Sequence, residues 1–516
     1  MRRLFISTLF IAACLSVSAQ DDFDSFNADF EKFKQEAESE YDNFREECNA
    51  EYAQFLKEAW ETFEGLPGVK KPKDQKPLPQ NIINKLNNGD KSGKGKATAK
   101  LKDVKVPVSE VVNVSQMTNE VTRPQPVGRF LFFGKKKEKK AAEAEPEEKP
   151  LSFVFYGTQM SVNIGAIKDK LTLTDTGNEA VAAAWETCST PQYNELLSDC
   201  LALRDKYHLC DWAYLQMLKT MADAYLGTDT NESMFLTAYI YCQSGYKMRL
   251  GQNNNQLIVL YATAHTIYDQ SYYKLDGEHY YPFGLKDLNS RIRICNHAFP
   301  KEQAMSLLVP EEPLFDKDKP KTRTIQSKEF PDMHITVSVN KNLMDFFEKF
   351  PSSNLNDNFL TCWAMYANTP ICEDVKAQIY PELRERLKGF SERDAVCRLL
   401  SLLQSGLVYK YDEEIWGRDR AFFPEETLFY PYADCEDRSI LFSRLVRDLL
   451  GLKTVLIFYP NHLATAVHFN ESVKGDYILL NGERYMICDP TNYVAAPGVT
   501  MEGMDNTKAK AIILKN

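Results

Sequence analysis

Apolar side chains near the start of the chain recur every 11 residues. The three parallel series are Phe30, Tyr41, Tyr52 and Phe63; Phe33, Phe44 and Phe55; and Ala37, Cys48 and Ala59. Eleven residues make about three helical turns, so the series share one stripe and predict an amphipathic helix over residues 20–64. Such a stripe has to be covered, and self-association of residues 21–64 into a homo-oligomer is the simplest cover. Docking on the body of the protein and binding of another partner are the alternatives.

Residues 65–150 lose this periodicity, and lysine, proline and glycine dominate, as in Lys70-Lys71-Pro72-Lys73. A run of lysines at 135–140 is followed by glutamate and alanine. A segment with so little apolar surface cannot offset the entropy cost of ordering, so the pattern predicts a flexible, disordered charged linker.

Residues 151–340 return to helical and strand periodicities. We predict helices over 193–225 and 231–250, and strands over 257–263, 271–275, 278–282 and 334–340. The mixture predicts an α+β domain. Its run 257–261 is similar to the run 455–459, and Gly277-Glu278 is similar to Gly482-Glu483. The domain is therefore either a degenerate copy of the C-terminal one or a chance similarity of β patterns.

The clearest helix start in the C-terminal region is at Cys435. Asp434 is an N-cap residue, Asp437 stands three positions later, and Gly451 ends the apolar stripe. Cys435 is thus predicted in the first turn, where the helix dipole favours a thiolate. Asp434, Glu436 and Asp437 push the pKa of the thiol the other way, and the sequence leaves the balance open.

Two histidines follow on one predicted strand, His462 and His468, and six residues of strand separate them by about 20 Å. Only one of them can therefore reach the thiol. Asp489 ends the next predicted strand, which starts after an Asn481-Gly482 hairpin turn. An antiparallel arrangement brings Asp489 to His462 and a parallel one brings it to His468, so the residues alone leave the choice open.

Taken in order, these pieces resemble the transglutaminase-like superfamily from about Gln404 onwards. The matching runs are Pro424-Glu425-Glu426, Leu428, Asp434-Cys435-Glu436-Asp437, Tyr459-Pro460-Asn461-His462 and Cys488-Asp489-Pro490-Thr491. The likeness is to the bacterial branch of transglutaminase-like cysteine peptidases and to exported Bacteroidetes proteins with this domain. It implies a papain-like α+β fold for residues 341–516. It also implies that Cys435 is the nucleophile, His462 the base and Asp489 the orienting acid.

The resemblance further implies a protein or peptide substrate and no required cofactor. Hydrolysis of an amide bond is favoured over amine transfer, because nothing in the residues identifies an acyl acceptor. The alternative from another functional class is an envelope scaffold or adaptor that assembles through its N-terminal helix without catalysis.

Further side chains are candidates for the site. Gln404, Tyr430 and Tyr432 are predicted oxyanion or substrate donors. Trp416 is predicted to wall the cleft, and ordinary packing is the alternative for aromatic residues there. Asp434, Glu436 and Asp437 could share a calcium ion, since a hard cation keeps clustered carboxylates ionised. Helix capping and solvation is the competing interpretation of these carboxylates.

The length of 516 residues predicts two or three domains, and the hydrophobic and charged fractions, 44% and 26%, are those of an ordinary water-soluble protein. A net charge of −10 argues against a nucleic-acid partner. Arg2 and Arg3 precede an apolar run and the small residues 17–19, so residues 1–19 are predicted to be a signal peptide. The protein is then exported to the periplasm or cell envelope, with a lipid anchor at Cys14 as the alternative. No other segment approaches the length of a membrane span.

The chain has 12 cysteines, and removal of the predicted signal peptide leaves 11, scattered without CxxC pairs. An odd number in an oxidising compartment leaves at least one thiol unpaired, as a thiol catalyst requires.

Overall fold

The structure is a computed structural model. It describes residues 43–72, 78, 80–88, 101–114, 123–126 and 149–515, apart from 168, 286, 287, 289, 319 and 320. The predicted signal peptide over 1–19, Cys14, and residues 20–42 of the predicted helix lie outside the described residues.

The helices are α1 (43–57), α2 (Gln80–Asn88), α3 (Asn178–Cys188), α4 (Asn194–Lys206), α5 (Asp211–Leu226), α6 (Asn231–Gln243), α7 (Lys341–Glu348), α8 (Thr361–Asn368), α9 (Glu373–Leu387), α10 (Glu392–Gly406), α11 (Asp412–Trp416), α12 (Pro424–Phe429) and α13 (Cys435–Leu450). The first eleven described strands are β1 (Glu61–Glu64), β2 (Val104–Lys105), β3 (Glu110–Asn113), β4 (Pro150–Phe155), β5 (Thr158–Asn163), β6 (Met248–Asn253), β7 (Gln256–Ala262), β8 (His265–Ile267), β9 (Tyr273–Leu275), β10 (Glu278–Pro282) and β11 (Arg291–Cys295). The later strands are β12 (Lys321–Gln326), β13 (His334–Val339), β14 (Ser353–Leu355), β15 (Thr454–Tyr459), β16 (His462–His468), β17 (Asp476–Leu480), β18 (Glu483–Cys488) and β19 (Lys510–Ile513).

Two large sheets organise the described chain, and the α+β prediction is confirmed. The first has the order β1-β11-β6-β7-β10-β9, and the second has the order β2-β17-β18-β16-β15-β19-β3. We call α6 with β6, β7, β9, β10 and β11 the first unit, and α13 with β15 to β19 the second unit. Among the described residues, no helix has the length and apolar character needed to cross a bilayer.

The two units share one strand order. Numbered from the preceding helix, the five strands of each unit lie in the order 3-4-2-1-5, and all neighbours are antiparallel. The hairpin turns between the third and fourth strands are Asp276-Gly277 and Asn481-Gly482, with φ of 50° and 86° in one and 51° and 84° in the other. Positive φ at both turn positions is what a two-residue type I′ hairpin needs.

This order corrects one detail of the sequence comparison. The run 257–261 lies in β7, the second strand of its unit, whereas 455–459 lies in β15, the first strand of its unit. Matching these two runs is therefore wrong by one strand, because buried strands of similar apolar composition cannot be told apart by periodicity. The match of Gly277-Glu278 with Gly482-Glu483 agrees with the topology, because both pairs lie at the turn between the third and fourth strands of their unit.

Helix α1 differs from the prediction in its end and in its cover. It ends at 57 rather than 64, and Glu61–Glu64 instead pairs antiparallel with β11. Cys48 and Tyr52 on its stripe are buried, and the Tyr52 ring lies 4.6 Å from the Trp185 ring. The stripe over 43–57 is thus covered by the body of the same chain. This removes the physical reason for self-association through that part of residues 21–64.

The flexible linker predicted for 65–150 is wrong for its described parts. Leu86 of α2 is buried in a cluster with Tyr409, while β2 pairs with β17 and β3 pairs with β19. The few apolar residues suffice because they add to existing surfaces rather than build a core of their own. The boundary at 340 is also crossed, since β8 pairs with β14.

Candidate active site

Cys435 is the first residue of α13, as the sequence predicts. The Asp434 carboxylate accepts the N–H groups of Glu436 and Asp437, and the Asp437 carboxylate accepts the Asp434 N–H. Gly451 ends the helix in a left-handed conformation, with φ of 66°. The capping box fixes where the helix starts and therefore where the thiol sits.

His462 and Asp489 are brought together by the antiparallel pairing of β16 with β18. Thr465 lies opposite Cys488, so the residue after β18 reaches the start of β16. His462 Nε2 lies 2.8 Å from Asp489 Oδ2. The other ring nitrogen, Nδ1, is buried and has no hydrogen-bond partner among the described residues. His468 is half-buried, and its Nδ1 lies 2.9 Å from the Arg484 carbonyl, so the strand pairing selects His462.

The thiol lies against the start of β16. The Leu463 N–H donates to Cys435 Sγ, and Ser439 Oγ donates to the Leu463 carbonyl at 2.9 Å. Cys435 is only 2% exposed. Burial, followed by the charges of Asp434 and Glu436, raises the pKa of the Cys435 thiol well above its ordinary value, and the Leu463 N–H only partly opposes this. Burial and the flanking carboxylates therefore favour the protonated thiol, against the pull of the helix dipole towards the thiolate.

Gln404 supports Asp489 rather than offering a donor to substrate. Its amide donates to the Asp489 carbonyl at 3.0 Å and to the Ala495 carbonyl at 3.1 Å. The Asp489 carboxylate is held in turn by the Thr491 N–H at 2.8 Å. The prediction of an oxyanion or substrate donor at Gln404 is therefore wrong, because its amide hydrogens are already taken by backbone carbonyls.

Trp416, Tyr430 and Tyr432 lie outside the cavity beside His462. The Trp416 and Tyr430 rings pack 4.7 Å apart, and the Arg420 guanidinium lies 4.9 Å from the Trp416 ring centre. Tyr432 forms an isolated backbone bridge with Val408. These aromatic residues are packing residues of the α11–α12 region, so the prediction that they contact substrate is not supported by their positions.

The cavity is lined instead by residues that the sequence did not single out. Besides His462 and Leu463, its walls are Lys71, Pro72, Tyr268, Phe359, Cys362, Trp363, Asp419 and Phe458. Lys71 and Pro72 come from the predicted linker, and Tyr268 comes from the predicted domain at 151–340. The available signal was the short apolar stretch Leu66 to Val69 directly before the lysines, which is unusual for a solvated linker.

Carboxylates crowd the pocket next to the thiol. Oxygens of Asp412, Asp434 and Glu436 lie within 4.8 Å of one another, and all three side chains are buried. Asp434 Oδ2 is buried without a hydrogen-bond partner among the described residues. Burial and the charge of Asp437 raise the pKa of Asp412 to about 9. The donor set fits a hard cation, since calcium prefers clustered carboxylate oxygens.

Asp437, predicted as the third ligand of this cation, does not fit that role. Its Oδ1 accepts the Phe422 N–H at 3.0 Å and its Oδ2 accepts the Asp434 N–H at 3.2 Å. Both oxygens thus serve the backbone, and Asp412 from α11 takes the place in the cluster that the sequence assigned to Asp437.

The first unit holds different residues at the matching positions. Its helix begins at Asn231, and Asn231 Oδ1 accepts the Leu257 N–H at 3.0 Å, just as the thiol accepts the Leu463 N–H. Its second strand begins at Gln256, where β16 begins at His462. Counted from the type I′ turn, the position of Asp489 is Gly284. The first unit therefore has the scaffold of the site without a thiol, an imidazole or a carboxylate.

Comparison with known proteins gives no relative: no protein-family model matches the chain, and neither a curated protein nor a solved structure matches it.

Proposed function

We propose that the chain is a thiol hydrolase that cleaves amide bonds in proteins or peptides, as the resemblance to transglutaminase-like cysteine peptidases implies. The observation that carries the proposal is the imidazole of His462. One ring nitrogen is fixed by Asp489 at 2.8 Å. The other is buried, has no hydrogen-bond partner in the described part of the chain, and lies beside the strand residue that contacts the Cys435 thiol. An oriented imidazole next to a helix-start thiol is the arrangement of nucleophilic catalysis.

Each residue then has one task. His462 Nδ1 takes the Cys435 proton as Sγ attacks the carbonyl carbon, and the same proton is delivered to the leaving amine. Water attacks the resulting thioester and releases the acid and the free thiol. Asp489 holds the imidazole orientation through Nε2. The Asp434 cap uses the N–H groups of Glu436 and Asp437, so the Cys435 N–H is the helix-start donor assigned to the oxyanion.

Activation requires that the thiol lose its proton. Burial and the neighbouring carboxylates oppose ionisation of Cys435. A cation near Asp434 and Glu436 would lower the pKa of the thiol by offsetting their charge. A calcium ion held by Asp412, Asp434 and Glu436 is one such cation. It would act as a fixed charge, with no part in bond making.

The proposal is tested by incubating the full chain with a mixture of peptides and identifying products by mass spectrometry. Wild type should generate new peptide termini, Cys435→Ala should generate none, and Cys397→Ala is the matched control at a half-buried cysteine outside the site. A fluorescent primary amine in the mixture distinguishes transfer from hydrolysis, and hydrolysis is the expected result. Equal products from wild type and Cys435→Ala would exclude the proposal.

The second candidate is a scaffold without catalysis, and the burial of the site favours it. Cys435 is 2% exposed and His462 is 1% exposed. A scaffold predicts that Cys435 reacts with iodoacetamide no faster than Cys397 and that His462→Ala leaves its reaction rate unchanged. If the chain is an enzyme, the rate at which Cys435 reacts should fall in His462→Ala, because the imidazole accepts the thiol proton and so sets the fraction of thiolate.

The proposed place of action is the periplasm or cell envelope, after removal of residues 1–19. Mass spectrometry of the protein purified from its native compartment tests this, since cleavage after Ala19 leaves Gln20 as the first residue. A lipidated Cys14 as first residue would instead establish a lipid anchor.

A further inference from the structure

Residues 65–72 form a strap that runs from β1 to the cavity beside His462. Leu66 exchanges two backbone hydrogen bonds with Tyr272, at 2.7 and 3.0 Å, and the Val69 carbonyl accepts the Asp269 N–H at 2.8 Å. At Gly68 the two backbones are so close that a Cβ would lie 2.5 Å from the Gln270 nitrogen. The strap is thus seated by its own backbone, in the way an extended peptide adds to an edge.

Lys71 reaches from the end of the strap into the acidic pocket. Its side chain is 14% exposed, and its Nζ lies 3.0 Å from Asp419 Oδ2 and 4.0 Å from Glu436 Oε1. The neighbouring residue Lys70 differs completely, since its side chain is 85% exposed and pairs with Asp269 at the surface. Burying an ammonium group is unfavourable unless carboxylates compensate it, so the pocket is specifically suited to a cationic side chain.

The pocket lies directly at the proposed reaction centre. Glu436 follows Cys435 in the chain, and Lys71 and Pro72 line the same cavity as His462 and Leu463. Trp363 holds the second Glu436 oxygen through its indole N–H at 3.2 Å, which keeps that carboxylate pointed at the cavity region. The strap therefore lies on the side of the site that carries His462 and Leu463.

We propose that the strap is an internal substrate-like segment, and that Asp419 and Glu436 form a subsite for a lysine side chain of the peptide substrate. The inference rests on the proposed function, because it names the substrate class of the same centre. While the strap is seated, Cys435 is shielded. A substrate binds only to the fraction of molecules whose strap has left, and this fraction sets the apparent affinity.

The first test measures the rate at which iodoacetamide modifies Cys435 in the full chain, by mass spectrometry. Lys71→Gln removes the charge that anchors the strap and should accelerate the modification by about tenfold or more, because breaking a buried ion pair is strongly destabilising and release of the strap outweighs the loss of one cation near Glu436. Lys71→Arg should stay near wild type. Lys70→Gln is the matched control and should leave the rate unchanged. Equal rates in wild type, Lys71→Gln and Lys70→Gln would overturn the strap.

The second test supplies the strap as a separate peptide. A peptide with the sequence of residues 65–72 should slow the modification of Cys435 in Lys71→Gln, and the same peptide with glutamine at the second lysine should not. Asp419→Asn should weaken the protection by the lysine peptide. Equal protection by both peptides, or none by either, would overturn the lysine subsite.

Circular dichroism checks that Lys71→Gln is folded. If it is not, Asp419→Asn replaces it, because Asp419 is one third exposed and holds the strap from the other side.

The proposed hydrolase and the proposed strap can fail separately. If Lys71→Gln is modified rapidly and the peptide protects it, but no peptide is cleaved, the hydrolase is excluded and the strap is retained. If peptides are cleaved at a rate that depends neither on Lys71 nor on lysines in the substrate, the hydrolase is retained and the strap is excluded.

Discussion

The two units of the molecule have the same strand order and the same hairpin turns, but they differ in what stands where the helix meets the second strand. In the first unit Asn231 is half-buried, and Gln256 and Gly284 are exposed. In the second unit Cys435 and His462 are each at most 2% exposed. The same backbone contact is made in both, from the second strand to the helix start. The scaffold alone therefore does not create the chemistry, and residues of the strap and of α8 line the cavity beside His462.

The difference also separates two kinds of hydrogen bond. The Asn231 amide is a good neutral acceptor for the Leu257 N–H and completes the backbone pairing. A thiol in the same place is a poor acceptor, so the Cys435 contact stabilises the fold less than the Asn231 contact does. We expect the contact between the second strand and the helix start to stabilise the first unit more than the second unit, and we expect the second unit to be the functional one.

The largest effect on activity should come from replacing the residue at a helix start with alanine. Cys435→Ala should reduce peptide cleavage by about 10⁴-fold or more, because the nucleophile is lost. Asn231→Ala should leave cleavage unchanged. Steady-state rates on one cleaved peptide check both variants. If Asn231→Ala also removed activity with the fold intact, the two units would act as one site.

The next effect should come from Asp489. Asp489→Asn keeps the shape of the side chain but cannot stabilise a charged imidazole, so cleavage should fall by about 10³-fold. Gly284 at the matching position should tolerate the change to alanine without loss of activity, although its φ of +78° makes the variant less stable. The activities, each corrected for the folded fraction, decide the outcome.

The stability of the protein should fall as pH rises. Burial raises the pKa of Asp412 to about 9, of Glu425 to about 8 and of Glu426 to about 7. A carboxyl with a raised folded-state pKa holds its proton more tightly when folded. Its contribution is therefore complete below about pH 4 and is lost as pH passes the folded value. Calorimetry should show Tm decreasing over this window, and Asp412→Asn should flatten the decrease.

Added calcium should change how Tm depends on pH. If Asp412, Asp434 and Glu436 hold the ion, added calcium should raise Tm most at high pH, where the carboxylates are ionised, and a chelator should reverse the gain. Asp412→Asn should lose the response, while Asp276→Asn in the turn of the first unit is the control. A Tm that is unchanged by calcium at every pH would exclude the ion.

The smallest effect concerns the two type I′ turns. Gly277 and Gly482 have φ of +86° and +84°, and a Cβ at either position would meet nothing within 4 Å. Gly277→Ala and Gly482→Ala should each lower the free energy of unfolding by about 1 kcal/mol, from backbone strain alone. Denaturant titration should return two similar values. Clearly different values would mean that the turns are not equivalent.

The sequence predicted the local features of the site and missed its enclosure, for physical reasons. The start of α13, the turn at Asn481-Gly482 and the strand containing His462 depend on neighbours in the chain, so capping and alternation reveal them. The choice of His462 over His468 needed the antiparallel pairing of β16 with β18, which the residues alone could not supply.

The strap and the edge strands depend on contacts that are distant in sequence. Lys71 looks like a solvated lysine until Asp419 and Glu436, which are 348 and 365 residues away in sequence, are placed beside it. Gln404 carries a polar group suited to a substrate, and only the fold reveals that backbone carbonyls have already engaged its amide. The ring of Tyr430 is packed against Trp416 instead of lining the cavity. The domain boundaries failed likewise, since β8 and β14 pair across the predicted division.

The edge strands β2 and β3 determine the curvature of the second sheet. The Val106 N–H is bonded to Tyr477 beyond one edge of the sheet, and the Ser109 N–H is bonded to Ala509 beyond the other. Three residues of chain reach at most about 11 Å. The outer strands of a flat seven-stranded sheet would lie about 29 Å apart. The sheet must therefore curve into a barrel, in which residues 106–109 connect the two edge strands. Val106 is buried and packs among the side chains of the barrel interior. Bringing the two edge strands together shortens the open border available to a strand from another molecule, so this short connection should lower the tendency to form fibrils.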